Sequence, residues 1–404
     1  MSDNTLRSTI GPPAEGTKRF LKRPNVIRKI RRKLKDGNHL LLSAPRRIGK
    51  TSLLKFLLNN PQEDQIVKYM IVQSVSSQNE FFKQLLNELI NDEQIYSGLE
   101  RFINHASKSL KGYISRVKRI ELTGSVVFSD DEQINYYESV NDILNALDDE
   151  GKNIIILVDE FPDALTNIYE NDPREGIQFL QRHREMRDLH NQSRIQFVYT
   201  GSTGLKHVVQ KIGDIDLPNN LQEVYVPPLD HEEAHQLVRS LTRGKQEDIA
   251  SFDIQPTVVD YLLERITWKL PYYIQIIVEK LFDEFETEPH PIGKEEVDYA
   301  LAALVRSGSE YADYFQHWKS RLAKAFKGND YRLAIDILNL TARNGEISYP
   351  AYFNLEQKHK IADKNYVLNV LRYDGYLAPQ DDNEKLFGFN SILLREWWSI
   401  NVLS

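Results

Sequence analysis

The sequence predicts an α/β chain: a parallel-sheet core, then a helical domain, then a small domain that ends in a strand pair. Three observations predict it. Apolar runs of strand length alternate with amphipathic stretches from about residue 40 to residue 200, the pattern of a mainly parallel sheet covered on both faces. Two of those runs, Leu40–Ser43 and Ile154–Val158, lead into polar groups, APRRIGKT and Asp159-Glu160. Beyond Pro227-Pro228 strands nearly vanish until GYLAPQDDNEKLFGFN.

At 404 residues the chain exceeds what a single core usually holds, so two or three domains are expected. Apolar content of 41% and charged content of 27% lie in the ordinary globular range. There are no cysteines, which excludes a disulfide framework and thiolate metal sites and fits a reducing cytoplasm. The opening residues MSDNTLRSTIGPPAEG have no apolar core of signal-peptide length. The longest apolar runs fall far short of the ~20 residues a membrane helix needs. A cytoplasmic chain without membrane contact is therefore expected. The formal net charge is −7, so attraction for nucleic acid would need a local basic patch.

Residues 1–17 read as a disordered lead, polar and rich in Gly and Pro. A helix follows at Pro24–Lys35, with Ile27, Ile30 and Leu34 on one face. Leu40–Ser43 reads as a short buried strand, Thr51–Leu58 as a helix, Val67–Val75 as a strand and Glu80–Asn91 as a helix. Residues 93–130 are less regular, and GYISRVKRIELTGSVVFSD reads as a helix end plus extended segments. Asn135–Asp149 is helical, Ile154–Val158 a strand, Ile177–Leu189 a helix and Ile195–Tyr199 a strand. The core thus covers residues 18–226. The helical domain, 227–326, holds Asp230–Leu241, Pro256–Arg265, Pro271–Phe285 and Lys294–Val305. The last domain, 327–404, has helices at Tyr331–Ala342, Tyr349–Lys358 and Lys364–Asp374 before its strand pair. Helices followed by a hairpin suggest a winged helix.

The run from Ala44 to Thr51 has the form of a phosphate-binding loop. Such a loop needs inward backbone N–H groups, a helix N-terminus, a lysine and a hydroxyl. Gly49 lets the chain pass close to the phosphates, Lys50 reaches the β- and γ-phosphates, and Thr51 binds Mg2+ through its hydroxyl. Ile48 and Ser52 complete the nucleotide-binding stretch. Arg46 and Arg47 contact nucleotide or pack against the helical domain, alternatives the sequence leaves open. Ala44 stands where a first glycine is usual and keeps the strand-to-loop turn small.

In IIILVDEFP, Asp159 is placed to hold the Mg2+ shell and Glu160 to polarise the attacking water. The competing reading is a plain helix start with Pro162 behind it. IQFVYTGSTGL ends a third strand in Thr200, Gly201, Ser202 and Thr203. Ser202 or Thr200 would aim a hydroxyl at the γ-phosphate; equally, these are ordinary turn residues. The fold class is then a P-loop NTPase parallel-sheet core followed by a helical lid domain and a winged-helix domain, with ATP and Mg2+ as ligands.

In this order APRRIGKTSLL, IIILVDEFP and FVYTGS resemble the signal-transducing (STAND-class) P-loop ATPases, and among them the archaeal-type ATPase family, over roughly residues 18–404. The resemblance implies an AAA+-like ATPase that hydrolyses ATP slowly and couples nucleotide state to a partner or an assembly. It matches Arg23 in FLKRPN to the arginine of a nucleotide-seating box, with Lys22 and Pro24 in place of its glycine and acid. It matches Pro271 in TWKLPYYIQ to a lid proline beside the nucleotide, with Lys269 where a glycine would stand. YVPPLDHEEAHQLV resembles the family's join between core and lid, and FGFNSILLREWW its C-terminal winged helix. The implied partner is a protein effector on a separate chain, and self-assembly is compatible. DNA is the disfavoured alternative, and a nucleotide-holding scaffold without turnover is a third.

Other signals weigh less. His231-Glu232-Glu233-Ala234-His235 fits H-E-x-x-H, a zinc-peptidase spacing. Yet Asp230 and Glu233 read as a capping box. RPNVIRKIRRKLK carries seven basic residues between Arg23 and Lys35, read as a solvated face ahead of a nucleic-acid contact. Arg182, Arg184 and Arg187 are candidates for an arginine acting in trans on a neighbouring copy. The expected recognition helix, KNYVLNVLRYDG, offers only Lys364 and Arg372 beside Asp363 and Asp374, which favours packing on protein over DNA.

Overall fold

The computed structural model describes residues 5–16, 18–99, 103–104, 110–115, 134–149, 151, 153–190, 194–201, 204–212, 220–308, 313–361, 363–382 and 384–403. The chain divides into two compact units. One joins Pro24–Ser43 to Leu53–Val226; the other joins Met1–Arg23, Ala44–Ser52 and Pro227–Ser404.

The first unit is built on β1 (His39–Ser43), β2 (Gln65–Ile71), β3 (Asn153–Asp159), β4 (Ile195–Thr200) and β5 (Leu221–Tyr225). All pairings are parallel, in the order β2-β3-β4-β1-β5. Strands β1 and β4 are buried at every position, and β3 at every position after its first. Their near-continuous apolar runs suit the middle of a sheet covered on both faces. The edge strands β2 and β5 are only partly buried, and β5 carries no apolar run to betray it. Helices α1 (Pro24–Lys35), α2 (Lys50–Asn59), α3 (Gln78–Ile90), α4 (Glu93–Gly98), α5 (Tyr136–Asp149), α6 (Phe161–Asn171), α7 (Pro173–Leu189) and α8 (Leu205–Ile212) fill the connections. Asp172 caps α7 by accepting from the Arg174 and Glu175 N–H groups, with Pro173 at the first helical position. Phe81, Phe161, Phe179 and His183 pack edge-to-face in this core.

Strand order decides where chemistry can occur. Leu42 pairs with Thr200 and Val158 with Tyr199, so the carboxyl ends of β1, β4 and β3 share one edge. From β1 the chain passes through α2 to β2 at the far side of the sheet, while β5 lies on the other side of β1. The end of β1 is therefore a topological switch point, where open α/β sheets bind ligands.

The second unit contains α9 (His231–Gln246), α10 (Pro256–Ile266), α11 (Pro271–Thr287), α12 (Lys294–Val305), α13 (Asp313–Ala325), α14 (Gly328–Asn344), α15 (Tyr349–His359), α16 (Tyr366–Tyr373) and α17 (Ile392–Asn401). An antiparallel sheet of β6 (Glu346–Ser348), β7 (Leu377–Pro379) and β8 (Leu386–Phe389) runs in the order β6-β8-β7. The division expected at 326/327 is bridged by buried polar contacts. Arg321 pairs with Asp374 at 2.9 Å, and the Tyr376 hydroxyl donates to the Trp318 carbonyl at 2.6 Å.

The structure departs from the sequence reading in several places. The sequence reading places no helix at α8, α13 or α17 and no strand at β5 or β6, gives α6 only as the competing helix start at Pro162, and carries the second strand past Ile71, where β2 stops. Of the irregular stretch 93–130, Glu93–Gly98 is helical, and residues 116–133 lie outside the described residues. Within the lead read as disordered, Leu6–Thr9 lie against the helices instead. Leu6 is 2% exposed and its N–H donates to the Ser240 carbonyl at 2.9 Å. The Thr9 N–H donates to Gln275 Oε1 at 2.6 Å. Gly244 admits this approach: a Cβ there would stand 2.0 Å from the Leu6 oxygen.

Candidate functional site

The loop leaves β1 after Ser43 and enters α2 at Lys50. Two residues in it turn left-handed, Arg47 at φ 64 and Gly49 at φ 93. The first turn of α2 has no acidic residue, so its N–H groups and positive dipole end remain suited to an anion. Lys50 is 8% exposed, and its ammonium donates to the Ala44 and Pro45 carbonyls at 2.9 and 3.1 Å. It thus holds the loop closed on itself. Ile48 is buried and Thr51 half-buried. Ser52 is buried, and its Oγ accepts from the Ala14 N–H at 2.8 Å. That partner comes from the ordered lead, which sequence reading missed.

The acidic half sits at the end of β3. Asp159 is 1% exposed; it accepts from the Tyr69 hydroxyl at 3.2 Å and from the Glu160 N–H at 3.1 Å. Glu160 adopts φ 60, ψ 33, a left-handed conformation uncommon for non-glycine residues. It occupies the cap position of α6, yet its side chain makes no capping hydrogen bond.

At the end of β4, a Cβ on Gly201 would stand 2.4 Å from Pro162 Cδ and 3.5 Å from Glu160 Oε2. Gly201 is what allows β4 to close against the acidic turn. Thr200 is fully buried, and its hydroxyl has no hydrogen-bond partner among the described residues. A buried hydroxyl left unsatisfied beside a carboxylate strand fits a polar ligand at this edge. Ser202 lies outside the described residues.

Arg23 does not stand open to a ligand. Its guanidinium donates to Glu233 at 2.9 and 3.2 Å, to the Pro227 carbonyl at 2.7 Å and to the Pro228 carbonyl at 3.2 Å. It clamps the turn that opens the helical segment. Pro271 opens α11 at a position where its missing N–H costs nothing. Glu233, besides holding Arg23, completes the capping box with Asp230. His231 and His235 both face Asp260, at 3.2 and 3.6 Å. Of the basic residues in α1, Arg31 donates to the Asn60 carbonyl at 2.7 Å.

Among the helix-α7 arginines, Arg187 is 2% exposed, bonds Asn220 and lies over the Tyr199 ring. That burial removes it as an arginine reaching a neighbouring chain. Arg182 bonds Gln78 and lies over Tyr137. Arg184 pairs with Asp188 on the surface at 3.5 Å. In the small domain, Arg372 pairs with Glu384 at 2.7 Å.

The loop carries a lysine, a helix N-terminus and a hydroxyl, the groups that bind phosphate; in its own unit, β3 ends in a buried carboxylate. Residues 31–209 match the model of a family described as an AAA domain. Among solved structures, the chain is similar to a Walker-type ATPase of Pyrococcus abyssi, at 17% identity and a TM-score of 0.60, over 96% of this chain and 99% of that one. It is also similar to the ORC2 protein of Aeropyrum pernix, solved as ADPNP–ADP complexes, at 11% identity and a TM-score of 0.52, over 94% and 92%. No curated protein matches the sequence. The parallel sheet and these similarities show the fold of a P-loop NTPase core, with an AAA-domain match confined to residues 31–209.

Proposed function

We propose that the chain is a Mg2+-dependent ATP-binding switch that hydrolyses ATP slowly, in the manner of the signal-transducing ATPases it resembles. The observation that carries this reading is the loop from Ala44 to Thr51, with Arg47 and Gly49 left-handed and Lys50 turned inward at the start of an acid-free helix. Lys50 binds the β- and γ-phosphates. Thr51 and Asp159 would hold Mg2+, which would supply positive charge against the phosphates. Glu160 orients the attacking water and accepts its proton, and Thr200 or Ser202 donates to the γ-phosphate. Pro271 and the helices that follow respond to the occupied loop, and nucleotide exchange releases a surface for a protein effector or for self-assembly. The small C-terminal domain is read as a winged helix that packs on protein. No helix among the described residues is long and apolar enough to cross a membrane.

The test is steady-state ATP turnover by purified protein with Mg2+, alone and with duplex DNA, using Glu160→Gln as the blank. Slow turnover indifferent to DNA supports the switch. Turnover that rises with DNA and falls steeply with salt supports a DNA-associated ATPase instead. Retained nucleotide with no turnover supports a scaffold.

A further inference from the structure

Arg47 holds a left-handed backbone, at φ 64, where glycine is the usual occupant. Its side chain is directed to the helical segment. The guanidinium lies over the ring of Tyr272, 4.3 Å from its centroid, well inside cation–π range. Tyr272 directly follows Pro271 at the start of α11 and is 6% exposed, while Arg47 is half-buried.

The ring is itself braced. Tyr314 and His317 of α13 stand edge-on to it, each at 6.2 Å between centroids. Burial, with the charges of Arg47 and Arg46, pushes the His317 imidazole down to about 3. The brace is therefore neutral and does not compete with the arginine. A second contact points the same way: a Cβ on Gly375 would stand 2.4 Å from Trp268 and 3.3 Å from Pro45 Cβ. The loop thus meets the start of α11 and the turn after α16. The left-handed backbone at residue 47 and the stack on Tyr272 are thus properties of one residue of the loop.

We propose that Arg47, stacked on Tyr272, is the positioning residue that ties the conformation of the phosphate-binding loop to α11 and the helices packed on it. The inference rests on the ATP-binding reading above and adds the residue pair through which binding is transmitted. Loss of the stack loosens the loop, weakens nucleotide binding and disconnects α11 from nucleotide state.

The experiment measures affinity for mant-ATP, and amide hydrogen exchange over residues 271–278 with and without ADP. Wild type and Lys50→Ala come first. If wild type binds no mant-ATP, the nucleotide reading fails and this inference with it. If wild type binds and Lys50→Ala does not, that reading stands and the pair is tested alone. Arg47→Gly, which the left-handed backbone accepts, should weaken mant-ATP about three- to tenfold and abolish nucleotide-dependent protection of residues 271–278. Tyr272→Phe keeps the ring face and should bind within about twofold of wild type. Tyr272→Leu should weaken binding as Arg47→Gly does and add nothing in the Arg47→Gly background. Additive losses, or full protection of residues 271–278 in Arg47→Gly, overturn the proposal. The protection measurement decides even if Tyr272→Leu does not fold.

Discussion

The hydroxyl of Tyr69 on β2 donates to the buried carboxylate of Asp159 at the end of β3, across 3.2 Å. The two strands pair in parallel with Tyr69 opposite Leu157, so the bond runs diagonally towards the ligand-binding edge of the sheet. Lys55 of α2 lies over the same tyrosine ring, 4.1 Å from its centroid. A hydrogen bond to a carboxylate is worth about 1.5–3 kcal/mol, and with the Glu160 N–H on the other oxygen it orients the Asp159 carboxylate. Tyr69→Phe should raise the Mg2+ concentration for half-maximal turnover several-fold, with metal-free ATP affinity little changed. A Mg2+ titration of turnover checks this. An unchanged midpoint would remove Asp159 from the metal shell or Tyr69 from its support.

Lys50 and Glu160 should separate binding from chemistry. Lys50→Ala removes the ammonium that now spans the Ala44 and Pro45 carbonyls, and tight ATP binding should disappear. Equal affinity in that variant would refute the phosphate-loop assignment. Glu160→Gln keeps the side-chain shape in its left-handed turn but cannot take a proton. It should bind ATP as well as wild type and retain it through gel filtration, with turnover down about a hundredfold or more. Normal turnover would show that another group activates the water.

Gly201 has a role that composition conceals. A methyl there meets the Pro162 ring at 2.4 Å, and neither partner is the loose end of a flexible chain. Gly201→Ala should therefore push the Glu160 turn away from β4 and cost about 1–3 kcal/mol in stability. Turnover should fall more than tenfold while ATP affinity changes little, since the phosphate-binding loop is untouched. Wild-type turnover in a stably folded Gly201→Ala protein would mean that the turn's seating does not matter.

Local chemistry made much of this site legible in the sequence. Leu40–Ser43 and Ile154–Val158 are apolar runs with polar ends, and they fold as central strands because both faces are covered. Helix α1 matched its periodicity end to end, since Ile27, Ile30 and Leu34 face the core. What escaped reading depends on distant partners. Strand β5, LQEVY, has one buried residue and becomes a strand through pairing with β1. Leu6 is buried by helices more than two hundred residues away, and no local pattern in a polar lead signals that. Arg47 reads equally as facing nucleotide or the helical segment, and its contact with Tyr272, 225 positions later in the chain, has no local signal.

Buried histidines should make stability depend on pH. His39 on β1 accepts from the Phe197 N–H at Nδ1, and its Nε2 lies 3.0 Å from the Arg187 carbonyl. A neutral ring protonated at Nε2 satisfies both bonds; a second proton at Nδ1 would break one. Burial is the main cause that pushes the imidazole down to about 4. In the unfolded chain the ring titrates near its ordinary 6.5, so between pH ~6.5 and ~4 the unfolded state binds more protons. Stability contributed by the neutral ring is thus present above pH ~6.5 and is lost as pH falls towards 4, by up to about 3 kcal/mol. His183, His190 and His317 are also shifted down by burial and add to the slope. Urea unfolding from pH 7.5 to 4.5 should show falling stability. In His39→Gln the fall should be shallower by about one proton, although that variant starts less stable. An identical slope in wild type and His39→Gln would mean that His39 titrates alike in the folded and unfolded chains.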